Sequence, residues 1–169
     1  MMAQAIKELY PEAKFFVGPV VKEGFYYDFK VESKISDEDL PTIEKKMKEI
    51  ADRKLPITRH ETTKEEFYEK FKNDELKQAV LKNIKDDILT IYKQGDFEDL
   101  CRGPHLPNTR MIRSFKLTRV AGAYLGGDEK NEMITRIYGI SFFDKKTLND
   151  YITMIEEAKK RDHRKLGTE

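Results

Sequence analysis

The sequence predicts an α+β fold, an antiparallel sheet built from hairpins with helices packed against it and a C-terminal connector helix. Two observations carry that prediction. Runs rich in β-branched and aromatic residues come in pairs joined by turn residues, and runs of helical period come singly between those pairs. A length of 169 residues fits one domain with a helical appendage and is enough to bury a core without staples.

The elements follow in order. Met2, Ala5, Ile6 and Leu9 recur at helical spacing until Pro11 stops the run; no capping residue precedes them. Lys14–Val21 and Phe25–Phe29 read as the strands of a hairpin, with Lys22–Gly24 as its turn. Ser36 with Asp39 makes a capping-box start for a helix whose apolar face is Leu40, Ile43, Met47 and Ile50. Pro56 belongs to a short extended segment at a sheet edge. Thr63 with Glu66 opens a short helix carrying Phe67 and Phe71, and a further short helix holds Leu76 to Leu81.

Beyond Asp87 the pattern turns to strands. Ile88–Tyr92 reads as one, with a turn at Gln94–Asp96. Gly103, Pro104 and Pro107 make Cys101–Asn108 a loop. Phe115–Leu125 and Glu132–Phe143 read as two more strands around a turn at Gly126, Gly127, Asp128 and Asn131. Asp144 caps a last helix with Leu148, Tyr151, Ile152, Ile155 and Ala158 on one face, and the charged stretch Lys159–Lys165 reads as a connector. The division expected is a main domain over 1–143 and a helix with connector over 144–169.

Composition narrows the function. Charged residues make up 37% and hydrophobic residues 38%, and no apolar run approaches the ~20 residues of a membrane helix. The N-terminus lacks the basic-then-apolar order of a signal peptide. The single cysteine allows no internal disulfide, so a reducing cytoplasm is the expected location and no membrane partner is expected. A net charge of +1 gives no whole-molecule field for nucleic acid, so any RNA contact falls to local basic patches such as Arg110, Arg113, Lys116 and Arg119.

Chemistry concentrates around Cys101 and His105, four residues apart in the Gly-Pro loop. A closed zinc site needs four ligands and a catalytic one three plus water. The chain has one Cys and three His, and His60 and His163 sit in unrelated contexts. A buried structural cysteine beside a loop histidine is the plainer reading of the residues alone. Asp99 shares a face with Cys101 if its strand is extended. Taken alone, Lys77 reads as a solvated surface lysine, Tyr92 as core or rim, and Phe25–Tyr27 as hairpin core.

Several stretches together resemble the editing domain of threonyl-tRNA synthetases, a domain shared with alanyl-tRNA synthetases and their free-standing relatives. They are Met2–Pro11, Gly18–Phe29, Asp99–Thr109 (Asp-Leu-Cys-Arg-Gly-Pro-His-Leu-Pro-Asn-Thr), Phe115–Asp128 and Arg136–Phe142, with Lys159–Gly167 similar to the connector into that family's catalytic core. The resemblance implies hydrolysis of seryl-tRNA(Thr) by water attack on the aminoacyl ester. The family needs this because one missing methyl gives a pocket only ~1–3 kcal/mol of discrimination. By motif, His105, Cys101, Lys77 and Asp99 fall in catalytic positions, and Tyr92, Gly18 and Tyr27 in substrate-binding ones. The family's His-x-x-x-His pair would end just before Met1, and both histidines are absent here. That points to a trimmed front end and an impaired fragment. No cofactor or metal is expected in this chain; Cys101 and His105 are where any zinc would sit, and ATP and zinc belong to the family's catalytic domain. The partners implied are the acceptor end of tRNA(Thr) and the rest of a synthetase in cis. The competing readings are a non-catalytic acceptor-binding or spacer module, and a free-standing trans-editing protein.

Overall fold

The computed structural model describes residues 1–16, 18, 20, 21, 24–100, 114–130, 132–142 and 144–166. Cys101, His105, Arg110 and Arg113 lie outside them. Within them the α+β expectation holds, with the strands forming two antiparallel sheets.

The larger sheet takes β1 (Lys14–Phe15), β2 (Val20–Val21), β3 (Gly24–Lys30), β7 (Ser114–Tyr124) and β8 (Met133–Phe142) in the order β1-β3-β8-β7, with β2 also on β3. The hairpin expected over 14–29 forms, its first strand described as two short pieces, Lys14–Phe15 and Val20–Val21. One face of this sheet carries Phe29, Ile137, Phe115 and Leu117. These residues pack on α1 (Met2–Leu9) and α2 (Leu40–Asp52) through Ile6, Ile43, Met47 and Ile50 to form the main core. The Ser36–Asp39 capping box is present and opens a 3₁₀ turn over Asp37–Asp39 that runs into α2. No side-chain hydrogen bond caps α1.

The smaller sheet is β4 (Ile57–Thr63), β5 (Ile88–Gln94) and β6 (Phe97–Leu100), in that order. Its apolar face packs Leu89 and Ile91 against Phe67 of α3 (Lys64–Lys70) and Leu81 of α4 (Glu75–Lys82). Thr63 ends β4 and caps α3, its hydroxyl accepting from the Glu66 N–H. Gly95, at φ 60°, turns β5 into β6, a left-handed conformation that glycine adopts without strain.

The last helix, α5 (Lys145–Leu166), starts where Asp144 accepts from the Thr147 N–H, and the charged stretch 159–165 is part of it. Leu148 is buried and Phe142 lies against Tyr151 at 5.3 Å. Ala158, on the apolar face read from the sequence, is exposed.

Several direct contacts join the halves. Phe97 of β6 meets Phe15 of β1 edge-on at 5.6 Å, and the buried Gln94 side-chain amide donates to Gln4 of α1. The second is a buried polar pair in an apolar seam, satisfied on both sides. No helix among the described residues is long and apolar enough to cross a membrane.

Candidate active site at the seam between the sheets

The alternation of β6 aims Phe97 and Asp99 to one face, toward the larger sheet. Phe97 takes the apolar contact with Phe15, and Asp99 the polar one. The Asp99 carboxylate accepts from three donors: the Lys77 ammonium, the Tyr27 hydroxyl and the Leu100 backbone N–H, the last at 2.8 Å. The three donors come from three elements, α4, β3 and β6 itself.

Lys77 is only 3% exposed. The solvated-surface reading of this lysine is therefore wrong, and the reason is local. Asp74 caps α4 through the N–H groups of Leu76 and Lys77, which starts the helix so that Leu76 and Lys77 both turn inward. Leu76 is fully buried, and Lys77 carries its charge to Asp99. A buried cation at this depth persists only when paired.

Tyr27 is half-buried on the core side of β3, its ring edge-on to Phe15 at 5.7 Å. Gly18 lies against that ring, and a Cβ there would overlap it. The pairing of Gly18 and Tyr27 as one wall thus has a steric basis. Tyr92 stands directly opposite Asp99 in the β5–β6 ladder, on the same face. Five of the seven site residues expected from the sequence, Lys77, Asp99, Tyr27, Gly18 and Tyr92, therefore gather around one carboxylate. Cys101 and His105 lie outside the described residues; the chain enters their segment directly from Leu100.

A further group escaped the sequence reading. The α-amine of Met1, at the start of α1, is enclosed in the same region. Burial pushes it down from 8.0 to about 6, against an opposing pull from Asp99. The other described histidines are elsewhere: His60 is exposed on β4 with Thr58 at 2.8 Å, and His163 is exposed on α5. Among the described residues no three His, Cys, Asp or Glu side chains converge as metal ligands would.

The chain, in which the strand bearing the buried Asp99 runs into a Cys-x-x-x-His sequence, has clear relatives. Residues 89–138 match the threonyl and alanyl tRNA synthetase second additional domain. Over its whole length the chain is 70% identical to a threonine–tRNA ligase of Campylobacter jejuni, 71% to that of Campylobacter lari and 67% to that of Helicobacter pylori. It spans 28% of the length of each. The resemblance read from the motifs is therefore borne out, and on the threonine branch.

Proposed function

We propose that this chain is an editing domain that hydrolyses seryl-tRNA(Thr) by water attack on the aminoacyl ester. The observation that carries the reading is the buried Lys77–Asp99–Tyr27 cluster at the entrance to the Cys101–Thr109 segment. An ester hydrolase must position a water, move its proton and stabilise an oxyanion. His105 handles the water or its proton, and Cys101 orients it. Asp99 takes the substrate ammonium. That ammonium repels the Lys77 cation already on Asp99, so Lys77 turns toward the developing oxyanion as the ester binds. Gly18 and Tyr27 form the wall that admits serine and excludes the threonine methyl.

The sequence contains no His-x-x-x-His pair. We propose that such a pair, carried on residues preceding Met1, completes the site, and that the chain as it stands hydrolyses slowly. Its partners on this reading are the tRNA acceptor end and the rest of a synthetase in cis, in the cytoplasm, with residues 144–169 leading on from the editing domain. No metal is assigned to the site. The same cluster favours a second reading, a non-catalytic acceptor-binding or spacer module, since its three side chains satisfy one another and tie the two sheets together.

Decay of seryl- and threonyl-tRNA(Thr) separates the readings. We expect the serine ester to decay faster, an N-terminal extension bearing His-x-x-x-His to accelerate it, and His105→Ala in the extended protein to abolish it. Equal decay of both esters refutes the sieve. No decay even with the extension leaves the spacer reading.

A further inference from the structure

We propose that the face of the larger sheet turned away from Asp99 holds RNA phosphates through Lys116 and Arg119 of β7. This surface rests on the editing reading for the identity of its RNA, and deepens it by naming where the acceptor arm is gripped.

The argument begins with a β-bulge. Residues 116 and 119 differ by an odd number, so a regular strand would send them to opposite faces. The ladder with β8 shifts between Leu117 and Arg119, pairing Lys116 with Ile140, Leu117 with Gly139 and Arg119 with Tyr138. The extra residue, Thr118, returns Arg119 to the face of Lys116, while Leu117 and Val120 keep the core side. Bulges at sheet edges re-aim side chains in this way, and β7 is an edge strand. The two cations stand two β8 positions apart, about 7 Å.

Arg119 is held ready. Its guanidinium carbon lies 4.1 Å over the Tyr138 ring, and Tyr138 in turn packs on Tyr26 at 5.7 Å. A stacked guanidinium keeps its edge donors free for phosphate oxygens. α5 packs on one end of this face at Phe142, and the other cations described on it are paired. Arg136, over Tyr26 at 4.1 Å, is bound through two nitrogens to the buried Asp28 at 2.6 and 2.8 Å. Lys30 is paired with Glu75 and Glu132. The carboxylates at the β7 edge are committed to backbone, Glu44 accepting from Leu117 and Asp37 from Val120. Among the described residues, Lys116 and Arg119 are thus exposed cations with no carboxylate partner, and their charge is complementary to a polyanion. Tyr26 and Tyr27 point to opposite sides of β3, so this surface does not reach the ester. It contributes to affinity and not to the chemical step.

The test uses the whole chain and a hairpin of the threonine tRNA acceptor arm. Binding is followed by anisotropy from 50 to 200 mM salt, alongside steady-state decay of the seryl hairpin. Lys116→Ala and Arg119→Ala are each expected to lower the slope of log K against log salt by about 0.9, and the double variant by about twice that. KM should rise and kcat stay put. Arg119→Lys should keep most of the slope, and Lys45→Ala on α2 should change nothing. Unaltered affinity and slope in the double variant, or no hairpin binding by the unaltered chain, overturns the surface. Hairpin binding with the expected slopes but no ester decay, even by the protein extended with His-x-x-x-His, refutes editing and leaves the surface standing. Ester decay with an unchanged KM in the double variant does the reverse.

Discussion

Replacing Lys77 by Met keeps most of the side chain's volume and removes its charge, so it isolates the ion pair from the packing. Lys77 is 3% exposed and the Asp99 side chain 13%. In Lys77→Met the carboxylate keeps only the Tyr27 hydroxyl and the Leu100 N–H. Breaking a buried pair by removing one partner costs about 3–5 kcal/mol; the remaining two donors hold this case to about 3. Asp99→Asn leaves a buried ammonium facing an amide and should cost about 2–3 kcal/mol for the same reason. In Lys77→Met/Asp99→Asn neither charge is left uncompensated, so the double variant should be less unstable than the sum of the singles by at least about 2 kcal/mol. Urea unfolding of the four proteins, fitted with a common slope, reads this directly. Additive losses, within about 0.5 kcal/mol, would show that the two groups do not share one interaction and would remove the site's central contact.

Gly18→Ala should cost about 1–3 kcal/mol by overpacking against Tyr27 and should slow seryl-ester decay as Tyr27→Phe does; a thermal shift under 1 °C would show that the wall yields freely. Asp28→Asn should cost about 2–4 kcal/mol by leaving Arg136 with half its partner, measured by urea unfolding, with kcat for ester decay unchanged.

The parts legible in the sequence are those set by local chemistry. The capping residues Ser36, Thr63 and Asp144 mark helix starts because an oxygen three residues ahead of a free N–H needs no tertiary context. The β7–β8 hairpin is legible from its alternation and its Gly-Gly-Asp turn. What stays hidden depends on contacts far apart in the chain. Nothing near Lys77 announces burial, because its partner lies 22 residues on and its seat is made by packing α4 against β1 and β6. Asp28 and Arg136 were open to discovery: each sits on the outward register of an aromatic strand, opposite in charge, but only pairing β3 with β8 reveals that they meet.

The position of Asp99 explains why the joint between the sheets and the candidate chemistry coincide. A three-stranded sheet with two short helices buries few large side chains of its own, Phe67, Leu81, Leu89 and Ile91, and gains stability by docking on its neighbour. Docking brings β6 against β3 and α4 against β1, and it encloses whatever polar groups lie on those faces. Burying a lone carboxylate there would cost several kcal/mol; supplying Lys77, Tyr27 and the Leu100 N–H offsets that cost and fixes the carboxylate to within hydrogen-bond tolerance. The same three contacts that make the seam tolerable leave a charged group held, mostly buried and beside the start of the Cys101–Thr109 segment. That is the condition under which an electrostatic contact acts most strongly on a reacting ester. Tyr27 tests this coupling between joint and site. Tyr27→Phe removes one donor from Asp99 and leaves the ring on Phe15, so it should cost only about 1–2 kcal/mol in stability yet lower kcat for seryl-ester decay by roughly tenfold, with KM less affected. A stability loss without any change in kcat would make the cluster a joint alone.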